Sequence, residues 1–142
     1  MNTMTENLVK DLYAIDDSEE MLWVHNYDPM INSFGEIIER LDLGSYQGDT
    51  IVLLKNDDLY GLLQFGWGSC SGCDALEGCE NLKDLSELYT SLRDSINWTT
   101  KEEIVKYLKE HDWEGDYFWC LQSEDAEIGN FVAKSLNALE NN

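Results

Sequence analysis

Residues 59–79, LYGLLQFGWGSCSGCDALEGC, hold three of the four cysteines and are the stretch whose residue types could do chemistry. Cys70-Ser71-Gly72-Cys73 is a CxxC in which Gly72 permits a turn tight enough for two thiolates to face one ion. Cys79 follows after five intervening residues, and Cys120 falls in a predicted strand further on. If that strand lies beside residues 59–67, Cys70, Cys73, Cys79 and Cys120 complete a tetrahedral zinc site of four thiolates. An ordinary zinc ribbon has two CxxC pairs and this chain has one, so the fourth ligand depends on tertiary approach. The alternative is four free thiols acting as small buried hydrophobes, a role that suits Cys120 between Trp119 and Leu121.

Redox or nucleophilic use of these thiols meets an electrostatic obstacle. A reactive CxxC needs its first thiol acidified, as at a helix N-terminus. Asp74, Glu77 and Glu80 crowd this turn, and like-charge repulsion raises a thiol pKa. His25 and His111 stand in no recognisable nucleophile signature. A thiol-dependent enzyme is therefore the weakest of three readings, and no catalytic residue is assigned.

The strongest global property is charge. Twenty-nine acids against nine bases give −20. Such a surface repels phosphate backbones and anionic membranes, and attracts cations and basic proteins at rates that fall as salt rises. No apolar run reaches the roughly 18 residues of a membrane span, and no leader pattern opens the chain. A cytoplasmic protein with reduced cysteines is the expectation.

The 142 residues suit a single domain, 1–142, able to bury roughly 70% of its unfolded surface. A first helix is expected from Thr3 or Thr5, with Leu8, Leu12 and Ile15 inward. Asp28 as N-cap and Pro29 at the first helical position open a second, with Met30, Ile31, Phe34, Ile37, Ile38 and Leu41 at helical spacing and Gly44 as its stop. Residues 50–54 (TIVLL) and 59–67 read as antiparallel strands about the Asn56-Asp57-Asp58 turn. An amphipathic helix spans 81–97, and Thr99-Thr100 starts another with Ile104, Val105, Tyr107 and Leu108 apolar. Residues 116–121 (DYFWCL) are expected as the third strand, and Ser123 caps a last helix carrying Ile128, Phe131, Val132, Leu136 and Leu139. The fold class is α+β: an antiparallel sheet of about three strands packed with four to five helices.

GSCSGCDAL after YGLL, with Tyr46-Gln47-Gly48-Asp49 upstream, resembles small uncharacterised proteins of bacteriophages and prophages. In those proteins a strand ending in glycine-aromatic-glycine runs into this turn. The resemblance covers residues 46–80 and brings no activity with it. It implies a phage or mobile-element origin, and hence a host cytoplasm.

That origin gives the acids a candidate use. On a helix, Glu80, Asp84, Glu87 and Asp94 fall within about 80° of one another. Glu110, Asp112, Glu114 and Asp116 alternate, and an extended backbone would aim them one way. Two such rows could imitate a nucleic-acid backbone and inhibit a basic, nucleic-acid-handling host protein, with Trp98, Trp113 and Trp119 as candidate anchors. The competing reading is an accessory domain, zinc-stabilised or not, whose acidity serves solubility.

Overall fold

The computed structural model describes residues 3–15, 26–44, 47–68, 75–76, 78–113 and 125–141. Among them, five helices surround one three-stranded antiparallel sheet of order β1-β2-β3, so the fold is α+β. In chain order these are α1 Thr3–Leu12, α2 Asp28–Phe34, β1 Glu36–Gly44, β2 Gln47–Asn56, β3 Leu59–Gly68, α3 Leu82–Ser95, α4 Lys101–Glu110 and α5 Asp125–Glu140.

Strand β2 explains the layering. Its TIVLL run has no polar alternation because both faces of the sheet are covered. Val52 and Leu54 join Leu63 on a first face, beneath Val9 of α1, Met30 and Ile31 of α2, and Leu85 and Tyr89 of α3. Ile51 and Leu53 point the other way, with Leu43 and Tyr60, toward Ile104 and Leu108 of α4 and Ile128, Phe131 and Leu139 of α5. A one-residue slip of β2 would exchange the two sets, so pairing register and packing specify each other.

The expected helix over residues 30–41 is corrected. The helix ends at Phe34, and Gly35 is extended (φ 167, ψ −174), leading directly into β1. A Cβ at Gly35 would lie 2.6 Å from the Lys55 carbonyl oxygen, so this close approach of two backbones requires glycine. The misleading helical spacing comes from a bulge between Ile37 and Glu39. It inserts Ile38, which packs on the second face with Leu41, while Ile37 packs on the first. Two residues three apart therefore share a face without a helix. The third strand of the sheet is β1, and residues 116–121, expected to supply it, lie outside the described residues.

Other expectations need smaller corrections. In α1 the buried apolar residue is Val9, while Leu8 is 40% exposed. Asp28 is not an N-cap: Tyr27 precedes the helix without a side-chain cap, and the Asp28 carboxylate accepts from Arg40 Nη1 at 2.7 Å. Tyr107 of α4 is exposed rather than packed. The strands about Asp57-Asp58, with Asp57 left-handed at φ 54, fall where expected, as do α3, α4 and α5.

A polar chain ties the first face to its rim. The Trp67 indole N–H donates to Thr50 Oγ1 at 3.0 Å, and the Thr50 hydroxyl donates to Asp42. Arg40 then bridges Asp42 and Asp28. Burial alone would lower the Arg40 pKa, but its bonds to Asp28 and Asp42 raise it, so the guanidinium stays charged. Nearby, the Tyr13 hydroxyl donates to the Asn26 carbonyl at 2.7 Å, and its pKa is raised by burial and by Asp28 and Cys79.

Leaving α3, the chain crosses from first face to second along the edge of β3. Tyr60 and Thr99 exchange two backbone hydrogen bonds of 2.8 Å, a short bridge that occupies part of the exposed edge. Ile96 and Trp98 pack on the first face, Trp98 close to both Gly35 and Gly61.

Glycine variants test this packing. At Gly48, opposite Gly44 in the first hairpin, a Cβ would run into the Leu43 carbonyl oxygen, whereas at Gly129 of α5 it would meet nothing. Gly48→Ala is expected to destabilise by about 2 kcal/mol or more. Gly129→Ala should stabilise by about 0.5–1 kcal/mol, both read from urea-unfolding midpoints.

Candidate functional site

The acids of α3 have local work to do. Asn81 caps the helix by accepting the Asp84 N–H at 2.9 Å, and the Asp84 carboxylate accepts the Glu80 N–H at 3.1 Å. This reciprocal pairing satisfies donors that a helix start leaves orphaned and places a carboxylate at the positive end of the dipole. Glu80 itself precedes the helix. Glu87 lies 3.9 Å from Lys83, and Asp94 lies 3.2 Å from Arg93. Both pairs are surface-exposed and contribute little to stability.

Among the second set, Glu110 is the last residue of α4 and Asp112 follows the cap. Glu110 is still helical, the His111 N–H closing onto the Tyr107 carbonyl at 2.9 Å, and only His111 turns extended (φ −65, ψ 139), so an extended row does not include Glu110. Glu114 and Asp116 lie outside the described residues. Helix α4 also carries as many lysines as glutamates, with Lys101, Lys106 and Lys109 among Glu102, Glu103 and Glu110. The α3 and α4 acids belong to helices on opposite faces of the sheet, so the two sets lie on different layers.

Of the four cysteines, only Cys79 lies among the described residues; Cys70, Cys73 and Cys120 do not. Cys79 is buried in the first-face core, its Sγ 3.3 Å from the Ala75 carbonyl oxygen. The Tyr27 hydroxyl accepts the Leu76 N–H at 3.2 Å, and its ring lies 4.4 Å from that of Phe65, tying Leu76 to the start of α2 and to β3. Among the described residues, no three His, Cys, Asp or Glu side chains gather as a metal site.

A pocket of about 410 Å³ lies on the second face, beside the β3 edge. Ile51, Leu62 and Ile104 supply its apolar lining, and Ser95 at the end of α3 with Asn97 and Thr99 of the crossing segment line another part. Alternation along the crossing explains this: with Ile96 and Trp98 packed on the first face, Asn97 and Thr99 face the other. Gln64, Glu103, Tyr107 and Trp113 complete the lining.

The end of α4 builds the aromatic wall. Tyr107 stacks on His111 with centroids 4.6 Å apart, and Trp113 meets both edge-on at 5.9 and 4.7 Å. The Trp113 indole donates to the Leu108 carbonyl at 3.3 Å, which fixes its orientation. Trp113 therefore lines a pocket, whereas Trp98 packs against the core.

No protein-family model, curated protein or solved structure matches the chain. Among the described residues, no helix is long and apolar enough to cross a membrane.

The capping geometry separates acids with a folding role from acids without one. Asp84→Ala is expected to lower stability by about 0.5–1 kcal/mol through loss of the cap and dipole interaction. Glu87→Gln should remain within about 0.5 kcal/mol of the parent, both measured by urea unfolding.

Proposed function

We propose that the protein is an acidic binding protein of phage or mobile-element type, which docks on a basic, nucleic-acid-handling host protein and competes with nucleic acid for it. The observation that carries this reading is a charge of −20 on one small domain. Acids lie exposed at the β2–β3 turn (Asp57, Asp58), on α3 (Glu87, Asp94) and around α4 (Glu102, Glu103, Glu110, Asp112). Summed over the molecule they make a negative field that steers a basic partner from beyond contact range, with a reach of about 8 Å at physiological salt. Because the α3 and α4 acids sit on opposite layers, the reading rests on this whole-molecule field rather than on two parallel rows.

A second reading, an accessory domain whose acidity serves solubility, is favoured by the capping use of Asp84 and the lysines interleaved along α4. Thiol catalysis gains no support from Cys79, which is only 7% exposed.

The distinguishing experiment is affinity capture from the natural host at low and high salt, with a charge-reversed variant beside the parent. Reversal at Glu80, Glu87, Asp94, Glu110, Asp112, Glu114 and Asp116 spares the capping Asp84. The expected result is a basic protein held at low salt, released at high salt or by added nucleic acid, and lost by the variant. Capture that is unchanged by salt and by charge reversal would leave the solubility reading in its place.

A further inference from the structure

The pocket beside the β3 edge holds a combination that the charge reading leaves unused. Among its described lining residues there is no lysine, arginine or histidine, and Glu103 is the one carboxylate. An anionic ligand would find no countercharge among them, while a cation would find Glu103 within the field of a −20 molecule. Gln64 and Asn97 add amide oxygens, and Ser95 and Thr99 add hydroxyls. Tyr107 and Trp113 add aromatic surface, and a cation over an aromatic face is attracted by the ring quadrupole. The apolar lining of Ile51, Leu62 and Ile104 suits an aliphatic stem rather than a bare inorganic ion.

These requirements describe one side chain. Arginine has an apolar stem, a planar head that stacks on aromatic rings, and five N–H donors arranged to meet carboxylate and amide oxygens together. Lysine would satisfy Glu103 but offers a compact, strongly hydrated head with no plane to stack. The volume of about 410 Å³ lies in the range of small-ligand pockets, roughly 300–1,000 Å³, and admits such a chain. Tyr107 and Glu103 at its rim are exposed, so an entering side chain can remain attached to a protein outside.

We propose that this pocket receives an arginine side chain of the basic partner, with Glu103 and the Tyr107–Trp113 wall as its specificity-determining groups. This rests on the reading of the protein as a binder of a basic partner, and adds a point of stereospecific recognition to an otherwise diffuse attraction.

The test uses the full chain labelled with ¹⁵N, with the Trp113 indole signal assigned through W113F. The probes are N-acetyl-arginine methylamide, the lysine and norleucine analogues, and free arginine. Saturable shifts of the Trp113 indole and α4 amides are expected with the arginine probe, weaker ones with lysine and none with norleucine. Glu103→Gln and Tyr107→Ala, each with an unchanged urea midpoint, should weaken binding by about threefold or more. Equal shifts from norleucine, no shift from any probe, or no effect of either variant would overturn the proposal. Markedly tighter binding of free arginine would also overturn it, by making the pocket a metabolite site. If charge reversal abolishes partner capture but these two variants leave it intact, the pocket claim falls and the binding reading stands. If the arginine probe binds as expected but no basic partner is captured, the pocket stands and the partner reading falls.

Discussion

Burial of β2 on both faces is the constraint on which the rest of the molecule depends. A strand reading Ile51-Val52-Leu53-Leu54, with none of the four exposed, cannot sit in a sheet with one wet face. It needs helices on each side, and the three-stranded sheet is narrow enough that α1, α2 and α3 cover one side and α4 and α5 the other. With both faces so occupied, most charged residues are left to the outer helix surfaces, turns and strand edges, Asp49 of β2 being buried at 6% exposure. Arg40 and Asp42 illustrate this on β1, an edge strand, where they form ion pairs at the rim of the first face.

The same constraint creates the pocket. A chain that has laid α3 on one face must cross the sheet edge before α4 can cover the other, and it does so through residues 96–99. Alternation along this short extended segment sends Ile96 and Trp98 into the first core and leaves the polar Asn97 and Thr99 on the second side. The hollow between that segment, β3 and α4 is closed by an aromatic group at the α4 terminus. Its polar–apolar character follows from the crossing itself.

Much of this was legible in the residues. The β2–β3 hairpin, the amphipathic helices α3, α4 and α5, and the Asn81 and Thr100 caps follow local rules that tertiary contacts leave intact. Strand β1 was hidden because a bulge at Ile37/Glu39 places Ile38 and Leu41 on one face at a spacing of three, the signature of a helix. Gly35 is the local sign of the break, since its backbone abuts Lys55 with no room for a Cβ. The pocket was harder to foresee: its lining comes from β2, β3, the crossing and α4, and no single stretch carries it. The Tyr107, His111 and Trp113 spacing was its one local sign, since a helix turn followed by a cap brings these three rings together.

The central claim is that recognition begins with long-range attraction between this acidic surface and a basic partner. Stopped-flow measurement of the association rate with the captured partner across a series of ionic strengths tests it most directly. The account predicts a rate constant that falls by about an order of magnitude or more from low to high salt, while dissociation changes less. An association rate independent of ionic strength would contradict it, and would return the acidity to a role in solubility.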